Sequence, residues 1–400
     1  MIKTFVLDVN RTSWTAVRAA LRKTCPFPAA QTSASIDFNG ALLWMGKMSV
    51  PLGLPQWCLA SQWAKVRYYA AADTSTPLRL HPAIEELDTH QKKVLSDDWG
   101  VGFSLQWLAS HFNYKNVDHG YAVIQDLRRK RVANFLPKKK KSGPDKCPDF
   151  IAYDQNDRIH VIECKGNQQG PSGFEKQLER GRQQKRNVEF TNETLVAQRL
   201  VTAFAFAGSE CNWESTLRVE DPPPERGNIY YRIAAETVQP IAQSIDRIAA
   251  VRGLLLAGVY DAAAHAFPVE TQMEGFAGTP LARHGRFDAE GQEWVGQSYT
   301  LPFPFPIAMD SGLVVGACRA RFGVSPAFLN ALARLSARAD VVDSFLRETD
   351  LRLALHTDAD ERAPEGADDF TESREAVPPS GYASIRNGRV LISDWELLSA

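Results

Sequence analysis

The stretch from Asp149 to Lys165 constrains this chain more than any other, because ionisable residues stand at the outer ends of two apolar runs. Asp149 opens the first run, and Glu163 and Lys165 close the second. The four residues between the runs, 154–157, are Asp, Gln, Asn and Asp, which favour turns. The stretch therefore predicts two short strands joined by a tight turn, a β-hairpin.

This hairpin brings charged side chains together. Successive side chains of a strand alternate between its faces, so Glu163 and Lys165 share one face and Cys164 points to the other. Antiparallel pairing about a turn near residue 156 places Asp149 beside Glu163. Two adjacent carboxylates repel each other unless a cation lies between them. We therefore expect a Mg²⁺ site made by Asp149, Glu163 and the carbonyl group of Cys164. Lys165 would orient or help to deprotonate a water molecule and stabilise charge on a phosphate.

A simpler interpretation makes Glu163 and Lys165 the solvated face of an edge strand, with Asp149 as a turn residue. The second strand, however, carries apolar residues on both faces, which is typical of a buried strand. Charged residues that close a buried strand favour a site over a solvated face.

Pro148-Asp149, followed by Glu163-Cys164-Lys165, resembles the signature of the PD-(D/E)XK nuclease superfamily. The resemblance implies an α/β fold with the restriction-endonuclease-like αβββαβ core, a mixed sheet flanked by helices, over about residues 90 to 220. It also implies a metal-dependent endonuclease that hydrolyses phosphodiester bonds with Mg²⁺ or Mn²⁺. In this family a helix before the sheet often supplies an acidic residue to the metal, and a polar residue of the next helix leans toward the active site.

The flanking segments supply candidates for these two roles. Apolar spacing predicts a helix from His90 to Phe112, in which Gly100 and Gly102 indicate close contact with a sheet. Asp98 is its candidate metal ligand, although Asp97 and Asp98 also suit a helix cap. A second helix is predicted from Ser172 or Gly173 to about Arg186. It carries Gln177 and Gln184, either of which could hydrogen-bond a metal-bound water, and Gln177 is the catalytic candidate.

Three further strands complete the predicted core. Tyr121–Leu127 is expected to be its first strand, while 200–206 and 216–219 are expected to follow the second helix. The observed spacing of apolar residues also predicts a strand near the N-terminus, at 4–9.

A strongly basic segment precedes the hairpin. Such a run is often a solvated loop or a localisation signal. Beside a phosphodiester-cleaving site it would instead gather nucleic-acid phosphates without reading sequence. The predicted nucleic-acid contacts are Arg128, Arg129, Lys130, Arg131, Lys138, Lys139, Lys140 and Lys141.

Three regions are predicted along the 400 residues. Residues 1–80 form an N-terminal region of unknown role, 81–230 the nuclease-like domain, and 231–400 a largely helical region that includes a helix at 326–355. A break is expected at the LPFPFP stretch, 301–306. Asn387-Gly388 between apolar runs predicts a terminal hairpin.

Composition limits the remaining function classes. The net charge of −1 excludes nothing by itself, and the six cysteines form no CxxC pair, which is typical of a reduced, cytoplasmic protein. No stretch suits a signal peptide or a membrane span, so we expect no membrane partner.

Three classes of function remain. The first is a nuclease, with DNA favoured over RNA, in bacterial antiviral defence or restriction, as the resemblance implies. The second is a catalytically silent nucleic-acid-binding or scaffold subunit of a defence complex. A partner subunit or a second copy of the chain would provide control over a nuclease. If the hairpin motif is coincidental, an unrelated interaction protein that binds no metal is the third reading.

Overall fold

The computed structural model describes residues 2–14, 25–52, 67–73, 75–136, 147–185, 187–222, 229–266, 285–289, 291–308, 314–335, 339–349, 353–357, 383–387 and 390–399. The helices of these residues are α1 (Phe38–Met48), α2 (Thr89–Phe112), α3 (Gly120–Arg129), α4 (Phe174–Lys185), α5 (Gln239–Leu256), α6 (Tyr260–Ala266), α7 (Pro326–Ala333) and α8 (Ala339–Glu348).

The strands are β1 (Ile2–Val9), β2 (Ser33–Asp37), β3 (Tyr114–His119), β4 (Ala133–Phe135), β5 (Phe150–Asp154), β6 (Ile159–Asn167), β7 (Val188–Phe190), β8 (Val196–Ala205), β9 (Thr216–Glu220), β10 (Tyr231–Ile233), β11 (Gly285–Ala289), β12 (Gln292–Ala308), β13 (Val314–Val324), β14 (Leu353–Thr357), β15 (Ala383–Asn387) and β16 (Leu391–Ser399).

The hairpin lies inside a large mixed sheet, toward the β3 edge. Its strands are ordered β2-β1-β9-β8-β6-β5-β3. Both β3 and β6 pair antiparallel with β5, whereas β8 lies parallel to β6. The prediction of an α/β fold with a mixed sheet and helices is therefore confirmed, and β6 is buried between neighbours rather than exposed at an edge. The N-terminal strand β1 also belongs to this sheet and pairs in parallel with β9.

The hairpin has the predicted register, because Phe150 pairs with Ile162. Asp154 fixes the turn through its Oδ1 atom, which accepts hydrogen bonds from the backbone N–H of Asn156 at 2.9 Å and of Arg158 at 3.0 Å. This local bonding is the usual reason that Asp favours turns. The charged end of the hairpin lies at the opposite end of its two strands from this turn.

The predicted first strand, Tyr121–Leu127, is wrong. This segment belongs to helix α3, and the strand that pairs with β5 precedes it, at β3. Val123, Ile124 and Leu127 are fully buried. Their spacing of one, three and four residues places them on one helical face, which explains why the segment is a helix. The helix predicted at His90–Phe112 is confirmed as α2.

The region after residue 230 is not largely helical as predicted. A six-stranded sheet with the order β11-β12-β13-β16-β15-β14 dominates its described part. Along β13, Cys318, Ala320, Phe322 and Val324 are buried at every second position, which is the period of a strand. The helix expected at 326–355 is divided into α7, α8 and strand β14.

Two smaller predictions for this region had different outcomes. The terminal hairpin is confirmed, because β15 and β16 pair antiparallel. The LPFPFP stretch is not a break, since it lies within β12, although the pairing of β12 with β13 shifts between Pro302 and Ile307.

Helix α5 connects this region to the large sheet. Asp246 of α5 accepts hydrogen bonds from the hydroxyl of Tyr153 on β5 at 2.7 Å and from the side-chain amide of Asn116 on β3 at 3.1 Å. Arg252 of α5 pairs with buried Asp118 of β3 at 2.7 Å. These contacts fix α5 against β3 and β5. Within the described part of the chain, no helix is long and apolar enough to cross a membrane.

Asp246 gives a test of this contact. Burial raises its pKa to about 6, although bonds from Tyr153 and Asn116 oppose the rise. A carboxyl group with a raised pKa in the folded state stabilises the fold at low pH, and this contribution is lost as the pH rises through about 6. Relative to Asp246→Asn, the wild type should lose about 1 to 2 kcal/mol of unfolding free energy between pH 4.5 and 7.5, measured by urea denaturation. An equal difference between the two proteins at both pH values would contradict this role.

Candidate active site

The predicted trio of Asp149, Glu163 and Lys165 is assembled at one end of the hairpin. The Lys165 ammonium forms a salt bridge with Glu163 Oε1 and lies 3.5 Å from Asp149 Oδ2. The Asp149 N–H donates to Glu163 Oε2 at 3.1 Å, and the Cys164 N–H donates to Asp149 Oδ2 at 2.9 Å. Each carboxylate is thus held by the other strand of the hairpin.

Burial divides the trio. The side chain of Glu163 is completely buried, whereas those of Asp149 and Lys165 are 28% and 20% exposed. Burial, followed by the charge of Asp149, raises the pKa of Glu163 well above its ordinary value. Burial alone would lower the pKa of Lys165, but Asp149 and Glu163 together raise it above its ordinary value. Lys165 is therefore a cation at neutral pH.

Two oxygen atoms of this site suit a hard divalent cation. Among the residues that the structure describes, no hydrogen bond reaches Asp149 Oδ1. The second oxygen is the carbonyl of Cys164. The N–H and C=O of one strand residue point to the same side, and the Cys164 N–H points toward Asp149, where β5 has not yet begun. With Glu163 they form an oxygen donor set that fits Mg²⁺.

The predicted helical ligand, Asp98, does not join this set. Its carboxylate accepts a hydrogen bond from the Tyr68 hydroxyl at 2.6 Å. Its neighbour Asp97 is the α2 carboxylate that faces the site. Partial burial raises the pKa of Asp97, while Lys93 and Lys165 oppose the rise and Asp149 adds to it. Neighbouring helical residues point in different directions, so a sequence that offers Asp97 and Asp98 together does not distinguish them.

Over the described ranges, no group of three or more His, Cys, Asp or Glu side chains is close enough to hold a metal ion. The site itself contributes two carboxylates, Asp149 and Glu163.

Gln177 of α4 lies beside the trio but is bonded to the end of β6. Its amide donates to the Gly166 carbonyl at 2.8 Å and its oxygen accepts from Asn167 at 2.8 Å. Both polar groups of the side chain are thus used to fix β6 directly after Lys165. These bonds give Gln177 a positioning role at the end of β6. Its contact with a metal-bound water stays a prediction.

A cleft of about 800 Å³ opens beside Lys165, between α2, α4 and the end of β6. Five basic and two acidic side chains line it among the described residues. The basic ones are Lys92, Lys93, Lys165, Lys176 and Arg180, and the acidic ones are Glu85 and Asp97. Sequence reasoning missed this surface, although Lys93 with Asp97 and Lys176 with Arg180 have the i, i+4 spacing of one helical face.

The described part of the predicted basic segment, residues 128–131, does not line this cleft. Gly120, the first residue of α3, donates its N–H to the Asp149 carbonyl at 2.9 Å. Arg128 and Arg129 end that helix, so they lie about 13 Å further along its axis, at 1.5 Å per residue. Lys130 forms a salt bridge at 3.4 Å with the buried carboxylate of Asp126. Residues Lys138, Lys139, Lys140 and Lys141 lie outside the described residues.

Glycines allow two helices to approach β6 at the site. A Cβ atom at Gly166 would lie 1.7 Å from the Ser96 carbonyl oxygen of α2, and one at Gly100 would lie 2.7 Å from the Gly166 nitrogen. On the other face, a Cβ at Gly181 of α4 would lie 3.2 Å from Glu163 Cγ. The predicted close contact of α2 with the sheet is confirmed at Gly100, whereas Gly102 meets α1 at Ala41.

No protein-family model, curated protein or solved structure matches this chain. Conclusions about its function therefore depend on the geometry and chemistry of the site itself.

The contact between Gly166 and Ser96 gives a second test. Gly166→Ala would place a methyl group against backbone that cannot rotate away, so it should lower the unfolding free energy by about 2 to 3 kcal/mol. Gly173→Ala is the matched control, since its nearest neighbour would lie at an ordinary 3.5 Å. It should change stability by about 0.5 kcal/mol or less. Equal stability of both variants, measured by urea denaturation, would show that α2 does not depend on this contact.

Proposed function

We propose that this protein is a metal-dependent nuclease that hydrolyses phosphodiester bonds, with DNA favoured as the substrate. The observation that carries the proposal is the convergence of two carboxylates and a cationic lysine at one end of a buried hairpin, beside a cleft lined mainly by basic side chains. The carboxylates suit a divalent metal, and the cleft suits a polyanion.

The order of elements supports this proposal. Helix α2, strands β3, β5 and β6, helix α4 and strand β8 follow the αβββαβ order that the resemblance to the PD-(D/E)XK superfamily implies. Helix α3 and strand β4 are inserted between the first two strands of that order. The motif residues lie at the start of β5 and near the end of β6, beside the two principal helices.

Asp149, Glu163 and the Cys164 carbonyl would hold Mg²⁺ or Mn²⁺, and Asp97 could contact a water molecule of its shell. When bound, such a metal supplies a polarised phosphate oxygen and a more acidic water. Asp97 replaces Asp98 in the proposed site because of the direction in which each side chain points.

Lys165 would act as a hydrogen-bond donor. Its raised pKa keeps the ammonium protonated, so it stabilises negative charge on the phosphate and orients the attacking water rather than removing the proton from it. Water attacks phosphorus and gives up a proton to the solvent, the bond from phosphorus to the leaving oxygen breaks, and that oxygen takes up a proton from the solvent. The fixed hydrogen bonds around Asp149 and Glu163 position these groups before substrate binds.

The basic cleft would hold the phosphates that flank the reacting one. Lys93, Lys176 and Arg180 lie on two helices on either side of Lys165. Contacts of this kind give affinity that does not depend on sequence and that decreases with salt. The setting in antiviral defence or restriction stays a prediction, as does control by a partner subunit.

The direct test is cleavage of plasmid DNA, linear DNA and RNA by the full chain with Mg²⁺, with Mn²⁺ or with EDTA. The wild type should cleave only with a divalent metal. Asp149→Asn and Lys165→Ala should each lower the rate by about 100-fold or more, since each removes electrostatic stabilisation of the reaction.

Matched controls come from the other end of the same hairpin. Lys115 and Asp157 form a salt bridge there at 2.7 Å, and Asp157 has a left-handed φ that Asn also tolerates. Lys115→Ala and Asp157→Asn should cleave like the wild type. Salt-sensitive binding without cleavage by any of the proteins would favour the alternative, a silent nucleic-acid-binding or scaffold subunit.

A further inference from the structure

A second, separate groove lies on the other side of the carboxylates, between α3 and residues 48–52. It has a volume of about 480 Å³. Tyr121, Gln125 and Arg129 of α3 form one wall, and their spacing of four residues places them on one helical face. The opposite wall is apolar and includes Pro51 and Leu52.

Side chains of His119 and Arg252 fix the backbone of the apolar wall. The His119 ring donates from Nε2 to the Met48 carbonyl at 2.6 Å. The guanidinium of Arg252, which is paired with buried Asp118, also donates to the Val50 carbonyl. Two separate contacts thus hold this wall at its distance from α3, so the groove is formed before any ligand binds.

The groove continues the line of the active site. Helix α3 starts at Gly120, whose N–H donates to the Asp149 carbonyl. In the sheet order, β3 is two strands away from β6, which corresponds to about 10 Å. The basic cleft lies beside Lys165 at the end of β6. The cleft, the carboxylates and the groove therefore follow one another across the same end of strands β6, β5 and β3.

The side chains of the groove suit an unpaired nucleotide. Tyr121 is 52% exposed, so its ring can receive a base on one face. The Gln125 amide can bond a base edge, and the Arg129 guanidinium can contact a phosphate or stack. Arg128 and Arg131 are also exposed at this end of α3, which makes the surface complementary to a polyanion. A volume of this size holds one small ligand rather than a duplex.

We propose that this groove binds an unpaired base of the polynucleotide next to the scissile phosphate, by stacking on Tyr121. The inference rests on the proposed nuclease function and specifies its substrate: a nucleic acid with a single-stranded segment beside the cleaved bond. The chain would then prefer tailed, flapped or single-stranded substrates to blunt duplexes.

The test is fluorescence anisotropy of the full chain in EDTA, where cleavage does not occur. The probes are a labelled two-stranded duplex with a single-stranded tail at its 5′ or its 3′ end, and the same duplex with blunt ends. The wild type should bind the tailed probes more tightly. Tyr121→Ala should weaken binding of the tailed probe by about tenfold and leave the blunt probe unchanged, whereas Tyr121→Trp should retain the preference.

Arginine variants test the phosphate contact. For the tailed probe, the logarithm of the binding constant falls linearly with the logarithm of the salt concentration. Arg129→Ala should make this slope shallower by about one, because one phosphate contact is lost. Arg286→Ala is the charge-matched control, since Arg286 is an exposed residue of β11 that pairs with Glu293. It should leave the slope unchanged.

Three results would contradict binding of an unpaired base in the groove. They are equal binding of the tailed probe by wild type and Tyr121→Ala, equal losses of affinity on both probes, and no binding of any nucleic acid. Competition by a mononucleotide without any preference for tails would also overturn it, in favour of a free-nucleotide site. A preference for tails without metal-dependent cleavage would contradict the proposed nuclease activity but would still support base binding in the groove. Cleavage without a tail preference would contradict the groove alone.

Discussion

The pairing register of β5 with β6 is the constraint on which the candidate site depends. A slip of one residue would move Glu163 and Lys165 to the opposite face of the sheet and separate them from Asp149. The register is fixed at both ends. Asp154 bonds two backbone N–H groups in the turn, while at the other end Asp149 bonds Cys164 and Glu163 across the strands. The same hydrogen bonds that set the register also orient the two carboxylates.

The charge balance of this end explains the surfaces around it. When both carboxyl groups are ionised, they and the one ammonium leave one negative charge in a largely buried setting, which a divalent cation would neutralise. Close approach of α2 and α4 through Gly166, Gly100 and Gly181 limits the access of water from both faces of β6. The site is open at the end of these strands. The basic side chains of α2 and α4 lie on one side of this opening and the Tyr121 groove on the other.

Local sequence patterns predicted the hairpin, helix α2 and the convergence of Asp149, Glu163 and Lys165, because turn bonding and strand alternation depend on neighbouring residues. Secondary structure, side-chain direction and strand pairing that depend on contacts between distant residues were not predictable in this way. The apolar residues of 121–127 fit both a strand and a helix, and their burial under α5 decides for the helix. Asp97 and Asp98 are equivalent in sequence, and Tyr68, thirty residues away, binds only one of them. In the second sheet β13 pairs with β16, which joins Val324 to Leu391, and local periodicity does not reveal a pairing between residues so far apart.

The most direct test of the central claim is binding of Mn²⁺ to the full chain without nucleic acid, measured by the electron paramagnetic resonance signal of free Mn²⁺. The wild type and Asp157→Asn should each bind one ion at the hairpin site, and Asp149→Asn should bind it at least about tenfold more weakly, since it loses a charged ligand. Equal affinity of all three proteins would place the ion elsewhere. No binding by the wild type would contradict a metal site formed by Asp149 and Glu163.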